Sequence, residues 1–248
     1  MNAKKLSFLL LILVAVACTN RSTSSEQDEM RHWNNVLQQI NALLLENKAR
    51  QTLDLAKQTL PEILESAEKN GTTDTLIYYA RKIFNACGNN YINTKQYKDG
   101  IDYMDSIGNH PLIREHCPHE LLSFKAGLNQ LYGNNPEAVR LAEDYLQLPV
   151  CTSANDFIRQ AEIISGVYMY SGNNLPKAIQ ILEKAIDVYR KGGNFPNMLR
   201  IMSRLGIYYH LSGEYEKAIA TNQEAIATYN DSIAPGNVVI AYGEQANL

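Results

Sequence analysis

The densest group of side chains able to hold a metal lies between residues 110 and 120, in the stretch HPLIREHCPHE. His116, Cys117 and His119 are donor types that suit zinc or copper, and Glu115 and Glu120 stand beside them. Pro111 and Pro118 argue for a turn between helices, where polar side chains collect without any metal. The segment therefore reads as a solvated turn, and no metal or other cofactor is assigned. A zinc titration followed by thermal melting separates the two readings, because an ion bound only by the folded state raises stability. Catalysis finds no better footing. The chain lacks a Gly-rich phosphate loop, G-x-S-x-G, H-E-x-x-H and a Walker-type lysine. The carboxylates Glu214 and Glu216 fall in an exposed turn, so no catalytic residue is assigned and the chain reads as a non-enzyme.

Cys18 offers a different chemistry. The chain opens on Met-Asn-Ala-Lys-Lys, followed by LSFLLLILVAVA and then Cys18. A basic start, a short apolar run and small residues at its end are the parts of a secretory signal. The run is too short for a comfortable span, which needs about 20 residues. Ala15-Val16-Ala17-Cys18 resembles the lipobox of bacterial lipoproteins, although leucine is commoner where Ala15 stands. The resemblance implies removal of residues 1–17 and lipidation of Cys18 with more than one acyl chain, as stable attachment requires. Residues 18–30 are polar and aperiodic, the composition of a flexible tether. In the enteric branch of that family an aspartate after the cysteine marks inner-membrane retention. Thr19 there points to the outer membrane of the envelope.

Composition narrows the partners. The formal charge of −3 becomes −5 once Lys4 and Lys5 are removed, and no basic stripe is present, so nucleic acid is not an expected partner. Besides Cys18 there are Cys87, Cys117 and Cys151, an odd number in an exported chain. Cys87 lies on an apolar helix face. Cys117 and Cys151 either pair or stay as thiols.

The elements that must position any site come from internal repeats. Gly166 and Gly206 lie 40 residues apart, as do Ala178 and Ala218, Ala185 and Ala225, and Tyr189 and Tyr229. Ala138 stands 40 before Ala178, Gly88 stands 38 before Ala126, and Ala246 stands 40 beyond Gly206. Within each period apolar residues recur at helical spacing in two bursts, separated by turns such as SGEY and GNNLP. A single helix pair cannot bury its own apolar face, so neighbours must stack. Leu205-Gly206-x2-Tyr209, then Tyr215, Ala218 and Ala225, resembles the tetratricopeptide (TPR) signature. Cys87-Gly88-x2-Tyr91, Tyr97 and Gly100 repeat it.

Asn222 replaces a usual aromatic, Gly100 a usual alanine, and the period exceeds the family's 34. The resemblance implies an all-α, TPR-like α-solenoid of stacked antiparallel helix pairs, a right-handed superhelix, over residues 31–248. Residues 31–70 fit as a degenerate first pair with Pro61 interrupting or bending the second helix. Residues 237–248 read as the first helix of a further unit. That predicts either a longer chain or a partner that covers the end.

In such arrays the inner helix of each pair lines a groove for extended peptides. Carried over by place, Asn85, Asn89 and Asn93 form one stripe, and Gln130, Tyr170, Arg200, Ser203, Arg204 and His210 face or border the groove. Carboxamides grip a peptide backbone, and arginines grip a carboxylate. Asn89, Arg200 and Arg204 echo part of the two-carboxylate clamp of chaperone-binding TPR domains. Its lysine is absent, and Phe124 and Ile164 stand in the place of its middle asparagine. The expected function is a peptide- or protein-binding scaffold lipoprotein, with a protein partner in the envelope and the membrane reached through the lipid. The alternative is the extracytoplasmic sensor region of a longer signalling protein, as in the N-terminal halves of Bacteroidetes regulators. A glycan-capture lipoprotein of the SusD type would be about twice as long. Asp74-Thr75-Leu76, Asp105-Ser106-Ile107 and Asp231-Ser232-Ile233 resemble the O-glycosylation signal of exported Bacteroidetes proteins.

Overall fold

Apolar residues three and four apart drive every element of the computed structural model, which describes residues 28–149, 154–192 and 195–227. All of these elements are helices, and no strand occurs among the described residues. The chain divides into two compact units after Asn90. Cys18, Cys151 and the expected helix at 237–248 lie outside the described residues.

In the first unit, α1 (28–45) buries Trp33, Val36 and Ile40, and it already includes the last residues assigned to the tether. Helix α2 (Ala49–Asn70) buries Leu53, Ala56, Leu60, Ile63, Leu64 and Ala67. It runs without a break through Pro61, so of the expected interruption or bend the interruption does not occur. Proline removes one amide donor, but Leu60 and Ile63 beside it are fully buried and hold the helix in place. Helix α3 (Asp74–Asn93) begins in this unit and buries Leu76, Ala80, Ile83, Phe84 and Cys87.

The second unit continues with α4 (Tyr97–Ile107), α5 (Pro111–His116), α6 (Pro118–Tyr132), α7 (Asn135–Gln147), α8 (Ala154–Tyr170), α9 (Leu175–Gly192), α10 (Phe195–Leu211) and α11 (Tyr215–Ala227). Helices α6 and α7, α8 and α9, and α10 and α11 pack as successive pairs, and α6 packs on α8 and α9 on α10. This is the stacked-pair architecture that the repeats predict. Its core joins Leu141, Ile164, Val167, Leu182, Ile186, Leu199, Met202 and Leu205 into one cluster.

The turns repeat as regularly as the helices. Lys95, Gly133, Asn173 and Gly213 all have positive φ, at 58°, 96°, 43° and 79°. The amides of Asn134 and Glu214 each donate to a carbonyl five residues back, Asn129 and Tyr209, at 2.8 Å. In the third turn the amide of Asn174, at the same repeat place, reaches six back to Tyr168 at 2.9 Å, although the turn has the same length between repeat places as the others. Small residues follow each turn at the close helix contact: Gly100, Ala138, Ala178 and Ala218 are all buried. A Cβ on Gly100 would lie 3.0 Å from both Tyr91 and Leu128. Glycine there therefore replaces alanine for want of space.

Residues 110–120 are not a solvated turn. His110 caps α5, its Nδ1 accepting from the Leu112 amide at 3.2 Å, and Cys117 precedes α6. Leu112, Ile113, Cys117 and Glu120 are buried. Both prolines stand at the first position of a helix, where a missing amide removes no hydrogen bond. Among the described residues no three His, Cys, Asp or Glu side chains are placed to hold a metal ion.

Candidate functional site

Helices α6, α8 and α10 are the first members of three successive pairs, and α8 contacts both of the others. The most distinctive chemistry of the second unit lies between α8 and α10. Glu162, on α8, has a side chain only 3 % exposed. Burying a carboxylate is costly unless charge and hydrogen bonds compensate it. Here two arginines converge on it, and a third reaches the main-chain carbonyl of the same residue. Arg200 Nη2, from α10, lies 2.6 Å from Glu162 Oε2, and Arg159 Nη1, from the preceding turn of α8, lies 3.6 Å from the same oxygen. Arg204, one turn further along α10, donates from Nη1 to the main-chain carbonyl of Glu162 at 3.3 Å. Ser165 Oγ donates to that carbonyl at 3.0 Å.

The electrostatics follow from this crowding. Burial is the main influence that pushes the Arg159 guanidinium below its ordinary value. Glu162 opposes that shift, and the like charges of Arg200 and Arg204 add to it. Burial likewise pushes the Tyr208 hydroxyl up, against the pull of Arg204. The arginines remain in reach of solvent, with Arg159 and Arg200 side chains 37 % and 39 % exposed.

Two of the sequence-selected residues, Arg200 and Arg204, thus meet in one cluster. Sequence reasoning missed Arg159, Glu162 and Ser165. A signal was available: stepping by the repeat from Phe84 gives Leu122, then Glu162, then Met202. Glu162 is the only charged residue at that place in these four units. Ser203 is the correction. It is 3 % exposed, and its hydroxyl donates to the Leu199 carbonyl at 3.0 Å within α10, so it presents no polar group to a groove.

The other selected residues are dispersed. Gln130 is half-buried on α6, with Oε1 leaning toward the bare Cα of Gly166 on α8. Tyr170 is 68 % exposed at the end of α8. His210 packs edge-on against Tyr215, with ring centroids 5.4 Å apart, and so belongs to the α10–α11 turn. Helix α3 carries Asn85 and Asn89 half-buried and Asn93 exposed. Phe124 and Ile164, in the place of the clamp asparagine, are fully buried core residues. Of the glycosylation-like triplets, Leu76 is buried, Ser106 is exposed, and residues 231–233 lie outside the described residues.

Two concavities elsewhere compare poorly with the arginine cluster. One lies among α9, α10 and α11, where Arg190 Nη2 grips both oxygens of Glu224 at 2.7 and 2.8 Å and Tyr209 donates to Glu183. Those charges already satisfy one another. The other is an apolar cleft of about 140 Å³ lined by Tyr145, Leu148, Phe157, Ile181 and Val188, with Lys184 beside them. It adjoins residues outside the described part of the chain. Among the described residues no helix is long and apolar enough to cross a membrane.

Comparisons with known proteins agree with this geometry. Residues 161–231, which span α8 to α11, match the family model described as tetratricopeptide repeat. No curated protein sequence matches the chain at a significant level. BtubC (BKLC) of P. vanneervenii is similar in structure, with a TM-score of 0.60 and 11 % identity over 80 % of this chain and 82 % of that one. A Podosopora anserina kinesin light chain protein with nearly identical TPR-like repeats is similar with a TM-score of 0.50 and 12 % identity. That likeness covers 79 % of this chain and 93 % of the other. At these identities the likeness is one of fold.

Proposed function

We propose that this chain, a tetratricopeptide repeat protein, is a non-enzymatic scaffold that holds a protein or peptide partner at the bacterial envelope, anchored as a lipoprotein through Cys18. The fold is one that suggests protein–protein interaction. The observation that carries the reading is the gathering of Arg159, Arg200 and Arg204 at the α8–α10 face around a single buried residue, Glu162. Charged groups held rigidly on packed helices recognise a partner without paying for loop ordering on binding. The anchor rests on the residues before and at Cys18, whose pattern resembles a lipobox.

Two experiments test the two halves separately. Expressed with its signal in a bacterium and fed an alkyne fatty acid, the chain is expected to take up label and sediment with membranes. Cys18→Ala is expected to lose both, and a variant that keeps its label and stays with membranes refutes the anchor. For capture, immobilised protein is mixed with envelope extract. Asn89→Ala and Arg204→Ala are expected to reduce the retained partner while lowering stability by less than about 1 kcal/mol, as for partly exposed polar groups. Retention unchanged by both substitutions would show that the partner docks elsewhere.

A further inference from the structure

We propose that Arg204, Arg200 and Arg159 form a binding site for a doubly charged tetrahedral oxyanion, a phosphate or sulfate group, with Glu162 as its built-in counter-ion. Three guanidiniums from two helices meet at one residue, two at the Glu162 carboxylate and one at its main-chain carbonyl. Arg200 and Arg159 both address Glu162 Oε2, whereas Arg204 spends its hydrogen bond on a neutral carbonyl. Arg204 has no carboxylate within ion-pair distance among the described residues. Its planar fork is thus positioned and left with donors to offer.

The geometry favours a dianion over a second carboxylate. Glu162 already supplies one negative charge at the floor of the cluster, so a singly charged newcomer gains little beyond it. A tetrahedral group presents oxygens in several directions and can accept from forks on α8 and α10 together. Partial exposure of Arg159 and Arg200 leaves a path for it from solvent. The carboxylate matters in a second way. It holds mutually repelling arginines together when the site is empty, and it weakens the site by its own charge. A site built in this way binds reversibly.

The test uses the purified full-length chain in a phosphate-free buffer of fixed ionic strength, titrated calorimetrically with inorganic phosphate, sulfate, phenyl phosphate and acetate. Phosphate or sulfate is expected to bind saturably, one per chain, and to raise the melting temperature. Arg204→Gln is expected to weaken that binding at least about tenfold, and Arg204→Lys nearly as much, since a lysine lacks the planar fork. Glu162→Gln, if its melting curve shows it folded, is expected to tighten binding about tenfold by removing the opposing charge. If it does not fold, Arg159→Gln takes its place and is expected to weaken binding. Phenyl phosphate binding as tightly as the free ion assigns the group to an ester, and inorganic phosphate binding alone assigns it to the free ion. Both results support the site. Acetate binding as tightly as phosphate, or Arg204→Gln binding as the parent does, overturns it. Capture of an envelope partner is a separate readout, so phosphate binding without capture would remove the scaffold reading and leave the oxyanion site standing.

Discussion

Gly206→Val is expected to destabilise the protein by about 3 kcal/mol, the upper end for overpacking a core. In a chain of this size that lowers the melting temperature by roughly 6–12 °C. Gly206 sits mid-way along α10, where α11 crosses it closely. A Cβ built there would lie 3.0 Å from Cγ of Asn222 and closer still to its Oδ1. Asn222 is fully buried, so its amide has nowhere to swing. Alanine at the same position should lose less, about 1 kcal/mol net, because its better helix propensity offsets part of the clash.

The partner makes this prediction sharp. Neither amide atom of Asn222 has a hydrogen-bond partner among the described residues, a defect worth about 1–3 kcal/mol. Asn222→Ala is therefore expected to be neutral or stabilising despite the smaller side chain. Combined with Gly206→Ala it should abolish the clash, giving a strongly non-additive pair. Gly166 supplies the control, being the same repeat place one unit earlier. The nearest atom to a Cβ there is Gln130 Oε1 at 3.9 Å, in ordinary contact. Gly166→Ala is expected to be tolerated or to stabilise by up to about 1 kcal/mol. If thermal melting ranks Gly206→Ala and Gly166→Ala alike, the close contact at Asn222 is not what selects glycine.

The contrast between these two glycines shows where the sequence is informative. A repeat of 38–40 residues reports the helix pairs, the positive-φ turns at Lys95, Gly133, Asn173 and Gly213, and the small residues behind them. Each of those follows from backbone geometry that every unit shares. The departures from the repeat are harder, because a side chain such as Asn222 or Glu162 takes its meaning from a neighbouring helix. Residues 110–120 failed for a local reason: Pro111 and Pro118 read as turn markers but begin helices, and Leu112 and Ile113 between them feed the core. At Pro61 the interruption is what did not follow, since burial on both sides kept α2 whole. The groove residues were chosen by place alone. That found Arg200 and Arg204 because both lie on the α10 face nearest α8, and it misplaced Ser203, whose short hydroxyl turns back onto its own helix.

Glu162→Ala is expected to destabilise the protein by about 3 kcal/mol, the lower end for a buried ion pair that loses one member. The lower end applies because Arg159 and Arg200 keep partial access to water and can turn outward. Size alone does not explain such a loss, so two further variants separate charge from volume. Glu162→Gln keeps the shape and a hydrogen-bonding oxygen but leaves three guanidiniums to repel one another. It should lose nearly as much at low salt and recover part of the loss at high salt, where repulsion between exposed charges is screened. Glu162→Met installs the side chain that Met202 provides at the same place in the next repeat. Alone it should still destabilise; paired with Arg200→Met it should regain most of the stability, because an apolar pair of similar volume replaces a buried ion pair at little net loss. A salt-independent Glu162→Gln variant that melts with the parent would mean that the three arginines are held by the helices alone. Glu162 would then be an accident of the repeat, not its organising charge.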